Sequence, residues 1–294
     1  MPVLPAIFDA NGGVDVAQTR QVAQFARAAG AHGVVFPGVA SEFNFLDLEE
    51  RGQLVDTVGE VFSGLPFVVG ASANSVDDVV RAIERGQAAG ATAAMVMAPT
   101  SVGSEVSALV DFFSGVAVRT DVEIVLQNAP PPVGSGLSVE TTTAVARAVP
   151  AITYIKEETL PPGPRISALI AAAPGTLRGV IGGAGARHLY DELDRGAVAA
   201  MPAVEIVDLH VALFEAFQRG DRHRAREIYV RTLPLLLVQL TYRMRLTKHV
   251  LALRGITKSM AVRAPLPEFD EKGLAELEML LGELSDLLPM GATA

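Results

Sequence analysis

The stretch Ala151-Ile-Thr-Tyr-Ile-Lys-Glu-Glu-Thr159 is a short apolar run of β type that closes on a lysine. It begins directly after Val149-Pro150, where a helical pattern over 139–148 has to stop. Proline supplies no N–H and disfavours helix in the residue before it. Upstream of that helix lies a second apolar run, 122–127. The local reading is therefore strand, helix, strand, and the same unit recurs in both directions.

Working outward, candidate strands fall at 3–8, 33–37, 66–71, 93–98, 122–127, 152–156, 177–181 and 197–201. Helical patterns occupy 16–29, 48–62, 76–89, 104–118, 139–148, 164–173 and 186–195, with an eighth starting near Val204. Asp15, Asp47, Ser75 and Ser138 precede helices as N-caps, and Gly30, Gly90 and Gly196 follow them as stops. The strands are continuous apolar runs rather than alternating ones, as parallel strands covered on both faces require. Eight alternations predict an α/β fold, a (β/α)8 TIM barrel, over 1–220. After Asp221 only helical patterns remain, at 222–240, 245–254 and 271–288. Residues 221–294 are expected to form a C-terminal helical extension packed on the barrel.

Composition narrows the function. The chain has 294 residues, half of them apolar, with no cysteine and no tryptophan. Disulfides and thiolate metal sites are excluded. A net charge of −9 without a basic stripe argues against nucleic acid as a partner. No segment approaches the ~20 apolar residues of a membrane span. Met1-Pro-Val-Leu-Pro5 lacks the pattern of a signal peptide, so a cytoplasmic location is expected. His32, His188, His210, His223 and His249 are scattered without ligand spacing, so no metal is expected.

Lys156 is one of only four lysines; arginine carries most of the positive charge. A lysine amine held in an apolar pocket is a nucleophile toward carbonyls. A lysine that snorkels from a strand end to water is the plainer alternative. In a (β/α)8 barrel the active site lies at the C-terminal strand ends, and Lys156 closes the sixth expected strand. Alternation puts Tyr154, Lys156 and Glu158 on one face, so Glu158 is a candidate proton carrier, whereas Glu157 reads as a loop carboxylate. Other strand ends offer Ser41 and Glu42, Thr100 and Ser101, Gln127 and Asn128, and Gly182 and Gly183. Their hydroxyls and N–H groups are candidates for holding the oxygens of a small acid. Each residue type is equally at home in ordinary turns and caps.

Several motifs together resemble one family, the class I aldolases of the dihydrodipicolinate synthase and N-acetylneuraminate lyase type. They are Pro5-Ala-Ile-Phe8 with Gly13-Val-Asp15, Ser41-Glu42 with Glu49-Glu-Arg51, Gly70-Ala-Ser-Ala-Asn-Ser75, Tyr154-Ile-Lys-Glu157, and Thr247-Lys248 with Leu253-Arg-Gly255. The resemblance implies a Schiff base on Lys156, no separate cofactor, a small 2-oxo acid of the pyruvate type as partner, and a homotetramer. The departures are specific. Where the family carries Gly-Thr-Thr-Gly-Glu, this chain has Gly38-Val-Ala-Ser-Glu42, with Ser41 as the single hydroxyl. Thr100 and Ser101 replace a tyrosine pair, Gln127 replaces the proton-relaying tyrosine, and Pro132 replaces an arginine.

Gln127-Asn-Ala-Pro130 with Lys156-Glu-Glu-Thr159 resembles the branch of 2-keto-3-deoxy sugar-acid dehydratases, notably the arabonate type, which also lacks the tyrosine. That likeness implies a lyase whose catalytic residues are Lys156, Glu158 and Gln127, and whose reaction is dehydration of a 2-keto-3-deoxy acid. Three alternatives stay open on the residues. They are a pyruvate-dependent aldolase or synthase, a barrel that binds a metabolite without turning it over, and a phosphate-binding barrel using Gly182–Gly185.

Overall fold

The computed structural model describes residues 1–288. In chain order the elements are α1 (Val16–Ala28), β1 (Val34–Phe36), α2 (Leu48–Val61), β2 (Phe67–Gly70), α3 (Val76–Ala88), β3 (Ala93–Val96), α4 (Val106–Ala117), β4 (Glu123–Asn128), α5 (Val139–Ala148), β5 (Ile152–Glu157), α6 (Pro162–Ala172), β6 (Gly179–Gly182), α7 (Leu189–Asp194), β7 (Ala199–Ala200), α8 (Val207–Gln218), α9 (Arg222–Tyr242), α10 (Met244–Leu253) and α11 (Glu271–Gly282). The fold is α/β. Two compact units divide it: Pro66–Ala184 with Asp191–Met201, and Met1–Leu65 with Gly185–Tyr190 and the chain from Pro202 onward.

The first of these units holds β2 to β7 as consecutive parallel neighbours. β3 is buried along its whole length, as a strand covered on both faces must be. The expected caps are in place. Ser75 Oγ accepts from Asp78 N and Ser138 Oγ from Thr141 N, so each satisfies a donor that the first turn leaves over. α3, α4, α5 and α6 pack each against the next.

In the other unit, Asp15 caps α1, and Asp47 with Glu50 forms a reciprocal capping box on α2. The first expected strand, 3–8, reduces to isolated bridges. Val3 pairs with Val35 on one side and Ala203 on the other. Leu4 N donates to Val35 O, Val35 N to Pro2 O, and Val3 N to Pro202 O. Pro2 and Pro5 bracket this spot and supply no N–H, so the ladder cannot run on. After the helix α8 the chain turns at Asp221, which caps α9 by accepting from Arg224 N. α8 and α9 lie in the same unit and pack on one another. Among the described residues no helix is long and apolar enough to cross a membrane.

A buried ion pair ties this unit together. Lys248 of α10 is wholly buried, and its Nζ lies 2.7 Å from Glu42 Oε1 and 2.7 Å from Ala261 O, over the ring of Phe8. Glu42 Oε2 accepts from Arg263 N and Ala264 N. Burial pushes the Lys248 ammonium down to about 8 against the pull of Glu42. Removing one partner strands the other charge away from water. Lys248→Met alone should therefore cost about 3–5 kcal/mol of stability in denaturant titrations, and Lys248→Met with Glu42→Gln should recover most of it. Additive losses in the double variant would contradict the pairing.

Candidate functional site

The site is set by register. β4 and β5 pair Ile124 with Ile152 but Val125 with Tyr154, so Thr153 is an extra residue on β5. Continuing the first register would set Gln127 against Ile155. The extra residue moves it to Lys156, and Asn128 to Glu157. Neighbouring residues of a parallel pair project to the same side, so Gln127 and Lys156 share one face and Asn128 and Glu157 the other. β5 and β6 pair Lys156 with Ile181 and Glu157 with Gly182. Glu158 N donates to Asn128 O at 2.9 Å, which continues the ladder and returns Glu158 to the face of Lys156.

On that face a buried cluster forms. Lys156 is 4% exposed, and its Nζ lies 3.3 Å from Glu158 Oε1. Gln127 Nε2 donates to Glu158 Oε2 at 2.7 Å. Ala184 N, just beyond β6, donates to Glu158 Oε1 at 3.1 Å. Burial pushes the Glu158 carboxyl up, but Lys156, Gln127 and the Ala184 N–H outweigh it and hold the group below its ordinary value. At neutral pH the cluster therefore offers an ionised carboxylate within proton-transfer reach of the Lys156 nitrogen. Gln127 donates to that carboxylate and exchanges no proton. The sequence places Lys156, Glu158 and Gln127 together, and so does the structure.

The other expected site residues have different surroundings. Gly183 makes room: a Cβ there would sit 2.6 Å from Glu158 Cγ. Gly182 does the same for Glu192, whose Oε2 would lie 2.0 Å from an added Cβ. Thr100 and Ser101 stand exposed on a 3-10 turn after β3, and among the described residues no hydrogen bond joins them to the cluster.

Asn128 and Ser41 are already engaged in hydrogen bonds. Asn128 exchanges bonds with Leu137 in both directions, and its second amide proton goes to Glu157 Oε2 at 2.9 Å. No donor is left over for a substrate. Ser41, in the other unit, spends its one hydroxyl proton on Leu4 O while accepting from Gly38 N. Glu42 beside it is held by Lys248.

Glu157 is a further correction. It is the last residue of β5 and is fully buried, not a loop carboxylate. Arg165 of α6 faces it, with Nε 3.2 Å from Oε1 as an ion pair off hydrogen-bond alignment. The Ala184 N–H and Arg165 were not legible in advance. Arg165 left one signal, a cation eight residues beyond a glutamate that closes an apolar strand. Among the described residues no group of three or more His, Asp or Glu side chains converges as a metal site.

The model of the Dihydrodipicolinate synthetase family matches residues 1–284. An uncharacterised DapA-like lyase of Halobacterium salinarum is 30% identical over 289 residues, covering 97% of this chain and 93% of the relative. The 4-hydroxy-tetrahydrodipicolinate synthase of Methanoculleus marisnigri is 29% identical over 290 residues, 95% of this chain and 97% of its own. The L-2-keto-3-deoxyarabonate dehydratase of Azospirillum brasilense is 27% identical over 293 residues, 98% of this chain and 94% of its own. The crystal structure of dihydrodipicolinate synthase from Rhodopseudomonas palustris superposes with a TM-score of 0.88 at 24% identity, covering 96% of each chain. At that identity it speaks for the fold alone.

The lowered Glu158 carboxyl makes a pH prediction. Between the folded and unfolded values the unfolded chain binds more protons, so this group's contribution is complete above its ordinary value of 4.5 and is lost as pH falls through the folded value. The difference in unfolding free energy between wild type and Glu158→Gln should stay level from neutral pH to about 5 and shrink on further acidification. A difference that does not change with acid would show that the carboxyl is not held low.

Proposed function

Because the chain belongs to the Dihydrodipicolinate synthetase family, we propose that it is a Schiff-base-forming lyase that dehydrates a 2-keto-3-deoxy acid of the sugar-acid type. The observation that carries this is the Lys156 amine, buried and 3.3 Å from a carboxylate that Gln127 and the Ala184 N–H hold in place.

In this reading Lys156 Nζ adds to the C2 ketone, and water leaves to give an iminium on C2. The iminium draws electrons and acidifies C3. C3 is two bonds from the imine nitrogen, so the carboxylate that touches the free amine lies within reach of it. Glu158 takes a C3 proton and the enamine forms. The enamine pushes out the C4 hydroxyl, which leaves as water with the proton that Glu158 returns. Hydrolysis of the imine then frees the unsaturated 2-oxo acid and regenerates Lys156.

Support comes from Gln127, which stands where the family's proton-relaying tyrosine would be, and from the dehydratase relative of Azospirillum. A second reading, a pyruvate-dependent aldolase or synthase, is favoured by relatives named 4-hydroxy-tetrahydrodipicolinate synthase. It needs a base at the C4 hydroxyl or its equivalent, and Gln127 is no base. A closed (β/α)8 barrel with α9 to α11 as its extension, a homotetramer and a cytoplasmic location are part of the same proposal. The likeness to the Rhodopseudomonas structure supports the barrel.

Borohydride reduction in the presence of pyruvate should leave a covalent adduct on Lys156, located by mass spectrometry, and Lys156→Ala should leave none. With a panel of 2-keto-3-deoxy acids followed by NMR, dehydrated product should appear without pyruvate. Pyruvate release would favour the second reading, and the lack of any adduct on Lys156 would sink both.

A further inference from the structure

Glu157 takes no part in the chemistry just described, yet it is wholly buried and ionic. Its carboxylate is surrounded by donors. Oε1 accepts from Thr159 N at 2.7 Å and faces Arg165 Nε at 3.2 Å. Oε2 accepts from Asn128 Nδ2 at 2.9 Å and from Arg165 Nη2 at 3.3 Å. Arg165 Nη2 also donates to Leu137 O at 2.6 Å, and Asn128 grips the Leu137 backbone in both directions.

These partners are not scattered. Asn128 follows Gln127 on β4, and Thr159 follows Glu158 beyond β5. The carboxylate thus holds the residues next to both ends of the Gln127–Glu158 hydrogen bond, from the opposite face of the strand ends. We propose that Glu157 is a positioning residue that fixes Glu158 against Gln127, the Ala184 N–H and the Lys156 amine. The proposal rests on the reading of Lys156 and Glu158 given above.

The donor set makes the carboxylate irreplaceable by its own amide. Each group within reach presents an N–H: one backbone amide, one carboxamide and one guanidinium. A glutamine at this position would keep one acceptor and aim its own NH2 at another donor. The clamp would have to open on at least one arm, toward Asn128 or toward Thr159. Either opening moves a residue bonded to the catalytic cluster. Three groups hold the Glu158 carboxyl low, namely Lys156, Gln127 and the Ala184 N–H, and the last two depend on the placement of Glu158.

The test uses the full chain with Glu157→Gln and Glu157→Asp. One readout needs no substrate: the carboxyl resonance of Glu158, observed with labelled glutamate and assigned by its absence in Glu158→Gln. The other is deuterium uptake at the methyl group of pyruvate in heavy water, which reports removal of the C3 proton from the imine.

In Glu157→Gln the Glu158 titration should rise toward the ordinary carboxylate value, and the acid limb of the exchange profile should move to higher pH with it. Exchange should slow roughly ten- to a hundredfold, the scale of a misplacement near 1 Å, while borohydride still traps pyruvate on Lys156. Glu157→Asp keeps the acceptors but shortens the reach, so it should fall between wild type and Glu157→Gln. It also carries the comparison should Glu157→Gln not fold.

An unmoved Glu158 titration in a folded variant would overturn the proposal. So would exchange that falls only in step with the folded fraction, at an unchanged pH profile, because that is what a merely structural role predicts. Absence of a pyruvate adduct in wild type would refute the imine reading instead, and the Glu158 titration would still decide the role of Glu157.

Discussion

An ammonium taken out of water needs a counter-charge within a few ångström, and the ends of β4, β5 and β6 are arranged around that need. Lys156 is buried, and Glu158 answers it at 3.3 Å. A carboxylate in such a place needs donors in turn. It finds them in Gln127 from the preceding strand and in the Ala184 N–H after the following one. All three strands must therefore end at matching heights. The extra residue at Thr153 achieves this for β4 and β5, because without it Gln127 would face an isoleucine. Gly183 achieves it beyond β6, because any side chain there would collide with Glu158. A one-residue slip would set Gln127 against an isoleucine, and a single methyl group at Gly183 would press on the Glu158 carboxylate itself.

The two faces of these strand ends carry different kinds of polarity. One presents Lys156, Gln127 and Glu158, whose contacts include an ion pair at 3.3 Å and a hydrogen bond at 3.1 Å. The other presents Glu157 and Asn128, locked to Arg165 and the Leu137 backbone with every amide proton of Asn128 spent. A densely bonded buried network is rigid, since movement leaves further polar groups unpaired at a cost of about 1–3 kcal/mol each. Backing the Lys156 cluster with such a network keeps the strand ends that carry it from moving. Placement on strands rather than loops serves the same purpose.

Much of the fold could be read from local signals. Asp15, Asp47, Ser75 and Ser138 cap helices as their positions imply, because capping depends on residues within one turn. β1, β2, β3 and β7 fall within the apolar runs, and β4, β5 and β6 each end one residue past theirs. The first expected strand failed because Pro2 and Pro5 remove the donors that a ladder needs. Of the site, the trio Lys156, Glu158 and Gln127 was legible, since alternation and strand ends fix faces. Glu157 was misread as a loop carboxylate, and the bonds that occupy Asn128 and Ser41 were not visible, for one shared reason. Whether a polar group is spent or available depends on partners that the chain brings back from other segments: Leu137 for Asn128, Leu4 for Ser41, Arg165 for Glu157. Residue type says what a side chain can bond, not what it has already bonded.

The bonds already made also bear on which reaction an imine at Lys156 would undergo. Cleavage of the C3–C4 bond requires one group to take the C4 hydroxyl proton, and a proton must later be delivered to C3. A phenol next to a carboxylate can divide that labour. Here the place of the phenol is taken by an amide that transfers no proton, and its donor is turned on Glu158 rather than outward. Within the trio, Glu158 is the one side chain besides the lysine able to exchange a proton. Elimination asks for less: the proton that leaves C3 can depart with the hydroxyl from C4, so a single carboxylate, kept ionised by its neighbours, closes the cycle. On the proposed reading, the number of exchangeable protons in the cluster counts for more than its shape in favouring dehydration over cleavage.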